Sequence, residues 1–286
     1  MNGIVIVDKP AGWTSQDVTA RLRRVFGTRR IGHGGTLDPM ATGVLPVFVG
    51  RATRAVEFFE HAEKTYEAVL RLGITTDTED ITGSVLTQLS VQVTREALEQ
   101  ALASFRGEIL QVPPMYSALK VGGQKLCDLA RKGVEVERQP RPVTIFLLHC
   151  LSFSGDRAVL QVRCSKGTYI RTLCKDIGQA LGCGGCMESL RRTSAGEYTI
   201  EEAVPLQTLL TTDSPERYLR PVDTMFRSHP AVTLTAKQTL RCRNGNAFSV
   251  NLADGSYRAY GPDGEFLALC RAENGSLSTI KSFFEV

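Results

Sequence analysis

The stretch Ile31-Gly32-His33-Gly34-Gly35-Thr36-Leu37-Asp38-Pro39-Met40-Ala41-Thr42-Gly43-Val44-Leu45 constrains the chain more than any other. It is a glycine-rich loop that ends in one carboxylate and leads straight into an apolar run, residues 44–49. Gly32, Gly34 and Gly35 can take backbone angles closed to other residues. Pro39 fixes its own φ and pushes Asp38 toward an extended conformation. Asp38 is therefore expected on a shaped loop at the lip of a buried strand, the kind of place where catalytic side chains concentrate. Taken alone, the same loop reads first as a tight turn with Asp38 as its cap.

The chain has 286 residues, enough for one large domain and a small one. Its 42% hydrophobic and 22% charged residues are ordinary for a globular protein. No apolar run approaches the roughly 20 residues of a membrane helix. The first apolar run is closed by Asp8 and Lys9 and reads as a strand, not a signal peptide, so a cytoplasmic protein is expected. The eight cysteines are then expected as reduced thiols. Cys183-Gly184-Gly185-Cys186 has the spacing of a metal pair, but no second pair or nearby histidine completes a four-ligand zinc site. The net charge of +4 says little, whereas its distribution says more. Arg21, Arg23, Arg24, Arg29 and Arg30 form an acid-free run just before the loop. Such a surface suits a polyanion, although Arg21 and Arg24 fit a solvated helix face equally well.

Periodicity predicts a strand at residues 3–7 and a helix from Thr14 or Ser15 to Phe26, with Val18, Leu22 and Val25 on one face. Strands follow at 44–49 and Lys64–Leu72, with a helix at 52–61 between them. Residues 75–83 hold Asp77, Glu79 and Asp80 without a basic residue and read as a polar, mobile loop. A strand at 85–93, a helix at 94–105 and a short helix at 126–132 are expected next. Residues 143–153 and 158–163 form an antiparallel pair across Ser154-Gly155-Asp156. A glycine turn then opens a helix that places Arg171 in its first turn. A cation there works against the helix dipole, at a cost of order 0.3–1 kcal/mol, and Asp38 is the natural anion to offset it. Regular turns at Asn244-Gly245, Asp254-Gly255, Pro262-Asp263-Gly264 and Asn274-Gly275 predict a small all-β unit at the end.

The full Ile31-to-Leu45 string closely resembles the motif around the catalytic aspartate of the bacterial tRNA pseudouridine-55 synthases, the TruB family, whose wider family includes the dyskerin-type enzymes. Lys9-Pro10, Gly12-Trp13-Thr14-Ser15, Pro113-Pro114-Met115-Tyr116-Ser117-Ala118-Leu119-Lys120, Lys166-Gly167-Thr168-Tyr169-Ile170-Arg171 and Leu190-Arg191-Arg192 match further hallmarks. The resemblance implies an α+β fold with a mixed, largely antiparallel sheet. It implies a catalytic domain over 1–226, a thumb-like insertion near 112–141 and a small PUA-like RNA-binding domain over 230–286. It makes Asp38 the catalytic residue and Arg171 its partner. Tyr66 stacks on the target uracil and assists proton removal. Tyr169 and Leu190 contact the substrate, and His33 moves into the space left by the flipped base. Lys9 and Pro10 support the loop, and Asp80 matches a position near the catalytic groups.

What the resemblance implies chemically is an isomerase that needs no cofactor and no metal. It would act on the T-arm stem-loop of tRNA as a monomer, with no obligate protein partner and no membrane. Three routes are open to Asp38: addition to the uracil ring, attack on the ribose anomeric carbon, or removal of a ribose proton. A non-catalytic tRNA-folding chaperone is the alternative, and it would be expected to lack Asp38, Tyr66 or Arg171; all three are present. A retaining glycosidase would need a second carboxylate about 5–5.5 Å from the first, and the matched motifs supply none beyond Asp80.

Overall fold

The computed structural model describes residues 1–284. The chain divides into two compact units: residues 1–38, 45–60 and 201 onward form one, and residues 39–44 and 61–200 form the other.

In the first unit, the buried strand Gly3–Lys9 lies between Thr42–Val49 and Val204–Pro205, with Val7 in parallel register with Val204. The helix Ser15–Val25 starts where the sequence predicts. The Thr14 hydroxyl accepts from the Asp17 amide, and the Asp17 carboxylate accepts from the Thr14 amide, a capping box. Its Val18 and Leu22 are fully buried. Ile31–His33 pairs antiparallel with the end of Thr42–Val49, so that His33 faces Val47. The expected 52–61 helix is a 3-10 segment, Gly50–Ala55, followed by one α-turn, Val56–Phe59.

The C-terminal part of this unit is a five-stranded sheet in the order Ala231–Thr233, Gly255–Tyr260, Phe266–Glu273, Ser276–Ser282, Phe248–Ser249. Asn274 and Gly275 take φ 52° and 74° between paired Glu273 and Ser276, the two-residue hairpin their sequence predicts. The β unit carries in addition a helix, Ala236–Arg243, opened by a Thr235–Gln238 capping box. Leu234, Cys242, Ala259, Leu267 and Leu277 form its core. Phe226 meets Phe58, Phe266 and Phe283 with ring centroids 5.4–6.2 Å apart.

The second unit is built on the strands Gly185–Ala195, Lys64–Leu72, Arg157–Cys164, Arg141–Ser154 and Gly107–Gln111, paired in that order and antiparallel throughout. Lys64–Leu72 alternates as predicted: Tyr66, Ala68, Leu70 and Leu72 are buried, and the residues between them are not. The helix Ile170–Ala180 buries Leu173, Cys174 and Ile177. Helix Arg95–Ala103, capped by Thr94, buries Leu98 and Leu102. The insertion holds a two-residue-strand hairpin, Lys120–Val121 with Gln124–Lys125, and the helix Leu126–Ala130. Gly107–Gln111 is an edge strand that the sequence pattern does not reveal. Among the described residues, no helix is long and apolar enough to cross a membrane.

At the start of Thr42–Val49, Thr42 and Gly43 pair in parallel with Arg191 and Arg192. Gly43 has φ 102°, and a Cβ there would stand 2.2 Å from the Arg192 carbonyl oxygen. Arg192 is 1% exposed and donates from Nε to the Val44 carbonyl at 2.7 Å. Gly43→Ala is therefore expected to destabilise by about 2–4 kcal/mol, from left-handed strain plus displacement of a paired backbone. Chemical denaturation checks this, and a loss below about 0.5 kcal/mol would mean that the strand yields without cost.

Candidate active site

In the first unit, several contacts shape the backbone that leads to Asp38. Lys9 is fully buried, and its ammonium donates to the carbonyls of Pro10 at 2.9 Å and Trp13 at 2.6 Å. A buried ammonium is costly unless hydrogen-bonded, so these bonds hold the turn that precedes Ser15. The Ser15 hydroxyl accepts from the Leu37 amide at 2.8 Å and lies 3.3 Å from the Leu37 carbonyl, to which it donates. Both residues are buried, so Asp38 extends from an anchored neighbour. Gly34 donates to the Pro46 carbonyl at 2.9 Å, and a Cβ on it would meet the Phe59 ring at 2.5 Å. The loop thus lies against a rigid strand and ring, with Asp38 itself half-buried.

In the second unit, Tyr66 is in register with Arg192 and Leu190 with Ala68. Paired strand residues share a face, so Tyr66 and Leu190 are diagonal neighbours, and both are largely buried. Leu190 lies in the interior of the strand Gly185–Ala195.

Tyr169 is the N-cap of the Ile170–Ala180 helix and has no capping side chain of its own. Gln111 supplies the grip instead. Its Oε1 accepts from the Tyr169 amide at 3.0 Å, and its Nε2 donates to the Tyr169 carbonyl at 3.2 Å. Two residues on, Arg171 is 5% exposed. It donates to the Thr78 carbonyl at 3.2 Å and the Tyr116 carbonyl at 2.8 Å, and its Nε lies 3.9 Å from the Asp80 carboxylate.

The loop over residues 75–83 corrects the expectation of a mobile acidic segment. Asp80 is 6% exposed, and its Oδ1 accepts from Thr78 Oγ1 at 2.9 Å, the Thr82 amide at 3.0 Å and Thr82 Oγ1 at 2.5 Å. Glu79 takes φ 64°, and its carboxylate accepts from Thr172 Oγ1 and Lys175 Nζ, each at 2.6 Å. The backbone of the loop bonds to Met187 in both directions. Charge and hydrogen bonding account for this: Arg171 and Lys175 on one helix draw the acidic loop inward, the Thr172 hydroxyl donates to Glu79, and Glu79 places an anion at a helix N-terminus. Within this unit Arg171 thus meets two backbone carbonyls and the Asp80 carboxylate.

Among the described residues, no group of three or more His, Cys, Asp or Glu is arranged to hold a metal ion. Burial pushes the thiols of Cys164 and Cys186 up to about 11, so neither is a ready thiolate ligand or nucleophile at neutral pH. Ser15 and Gln111 are the side chains that the sequence alone does not single out. Their local signals are positions in or beside matched motifs: Ser15 closes Gly12-Trp13-Thr14-Ser15, and Gln111 lies two residues before the Pro113-Pro114 string.

The fold is shared with chains of known structure. A Cbf5–Nop10–Gar1 complex superposes with a TM-score of 0.74 at 26% identity, covering 99% of this chain and 85% of that one. A chain of an H/ACA RNP bound to a substrate RNA containing 2'-deoxyuridine gives 0.73 at 24% identity and the same coverage, a likeness of fold. The sequence defines the class more narrowly, as a pseudouridylate synthase. The N-terminal domain model of the TruB family pseudouridylate synthases matches residues 23–170. The tRNA pseudouridylate synthase B C-terminal domain matches 171–227, and the tRNA pseudouridine synthase II C-terminal model matches 229–284. The tRNA pseudouridine synthase B of Dechloromonas aromatica is 47% identical over 252 residues, 87% of this chain and 84% of that one. That of Clostridium kluyveri is 40% identical over 289 residues, 99% of this chain and 100% of that one. The chain belongs to the TruB family of pseudouridylate synthases.

Proposed function

We propose that this chain converts the T-loop uridine at position 55 of tRNA to pseudouridine. The observation that carries the reading is the family's aspartate loop, complete in sequence and held at Leu37 by Ser15. The reaction breaks an N–C glycosidic bond, turns the uracil and rejoins it through C5, releasing the C5 proton. Asp38 supplies the carboxylate by one of the three routes named above. Arg171 is its counter-charge. Tyr66 stacks on the base and assists loss of the C5 proton, and Tyr169 and Leu190 line the pocket. Lys9 and Pro10 support the loop from behind. No cofactor enters the scheme.

The target base is stacked inside a folded loop and must be flipped out, at a cost of a few kcal/mol. His33 takes the place of the departed base. The exposed Arg21, Arg24, Arg29 and Arg30 offer charge to the phosphate backbone. Residues 112–141 act as the thumb over the stem-loop, and 230–286 as the PUA-like contact to RNA beside a 1–226 catalytic domain. The enzyme works as a monomer in the cytoplasm.

Tritium release from tRNA transcripts labelled at uridine C5 tests this, with a T-loop uridine-to-cytidine transcript as control. Release by the wild type, lost with the control, is the expected result. Tight, salt-sensitive binding without release would overturn it in favour of a tRNA-folding chaperone. His33→Ala is expected to weaken tRNA binding about tenfold, or ~1.4 kcal/mol of lost compensation for unstacking, and to slow the bound reaction less. A single-turnover rate that falls as far as for loss of Asp38 would move His33 into the chemistry.

A further inference from the structure

We propose that Gln111 is a positioning residue that sets the Tyr169 ring by holding its backbone at both ends. The proposal rests on the reading of Tyr169 as a pocket residue. Gln111 is 1% exposed, and both ends of its primary amide are engaged: Oε1 accepts from the Tyr169 amide and Nε2 donates to the Tyr169 carbonyl. The pair mimics one rung of a β-ladder between residues 58 apart in sequence. The Tyr169 carbonyl also accepts the first bond of the helix, from the Leu173 amide at 3.0 Å. Gln111 therefore determines the angle at which the chain enters the helix, and with it the direction of the Tyr169 Cα–Cβ bond.

The grip has a second point. Gln111 ends an edge strand paired with Arg141–Ile145 and leads directly into Val112-Pro113-Pro114. Pro113 and Pro114 stiffen the path to Tyr116, whose carbonyl accepts from Arg171. The segment 111–116 thus holds the backbone of Tyr169 and the guanidinium of Arg171 together. Both ends of the inserted residues 112–141 are tied to this strand pair, so a shift in the insertion is transmitted to Tyr169 through one side chain.

The test is a double-mutant cycle in the full-length enzyme, read as the single-turnover rate at saturating tRNA and, separately, as tRNA affinity. Gln111→Met keeps the volume and removes both bonds. It is expected to lower the rate about 10–100-fold, the scale of an ångström of misplacement, with affinity within about threefold of wild type. Tyr169→Leu is expected to slow the reaction as well, and the Gln111→Met effect is expected to vanish in that background. Gln111→Glu keeps the shape and the acceptor for the Tyr169 amide, and should fall between wild type and Gln111→Met. It serves as the test variant if Gln111→Met does not fold. Wild-type rates for Tyr169→Leu would overturn the Tyr169 reading. A slow Tyr169→Leu enzyme combined with a wild-type rate for the Gln111 variants, or with a Gln111 effect that persists undiminished in the double variant, would overturn the role of Gln111 alone.

Discussion

An Asp38→Asn variant is expected to lose turnover by more than about 10⁴-fold, the scale on which removal of a reacting group acts. Its tRNA affinity is expected to stay within about threefold of wild type. The substitution is isosteric, so the Ser15 bonds to the Leu37 backbone remain and the loop keeps its shape. What disappears is the negative charge and the basic oxygen. Each route open to Asp38 needs one of the two, whether it adds to the ring, attacks the sugar or takes a proton. Affinity is spared because phosphate contacts dominate tRNA binding, and the arginines that precede the loop are untouched. Single-turnover tritium release and filter binding at two salt concentrations check the two halves separately. A rate within tenfold of wild type would mean that the bond-breaking group lies elsewhere. A large loss of affinity would mean that Asp38 acts mainly in binding.

The parts of this structure legible in sequence are those specified by near neighbours. Thr14 and Asp17 announce the start of a helix because a capping box spans three residues. The alternation of Lys64–Leu72 shows which face of the strand is buried, and with it that Tyr66 points inward. Asn274-Gly275 forces a two-residue hairpin because both residues tolerate positive φ. The candidate site residues came from motif resemblance, since a lone tyrosine or leucine on a strand looks like packing.

What stayed hidden depends on distant partners. Gly107–Gln111 has no clean alternation and becomes a strand only by pairing with Arg141–Ile145. Ser15 reaches Leu37 across 22 residues, and Gln111 reaches Tyr169 across 58. The loop at 75–83 was misread because its composition is acidic and its cations lie on a helix more than 90 residues away. Thr235-Ala236-Lys237-Gln238 did carry a capping-box signal, but the helix behind it lacks an apolar stripe and the surrounding turns dominated the pattern.

Arg171→Ala is expected to be the most destabilising single change at the site, at about 3–5 kcal/mol, the range found when one partner of a buried charged network is removed. The guanidinium bonds two backbone carbonyls from different segments and sits beside Asp80. Asp80 keeps its Thr78 and Thr82 donors when the arginine is lost, so the anion is not left bare. The Thr78 and Tyr116 carbonyls lose a charged donor, which leaves half-buried acceptors short of partners. Arg171→Lys restores the charge but not the fork, because one ammonium cannot replace a planar group that reaches in two directions. It is expected to recover roughly half of the stability and little of the rate. Thermal melting gives the first quantity, and tritium release gives the second. Hydrogen exchange localises the damage: amides 78–82 and 116–117 should exchange faster in Arg171→Ala than in wild type. Unchanged protection there would show that Arg171 does not hold these segments, and the loop at 75–83 would then rest on its Met187 backbone bonds and on Glu79 with Thr172 and Lys175.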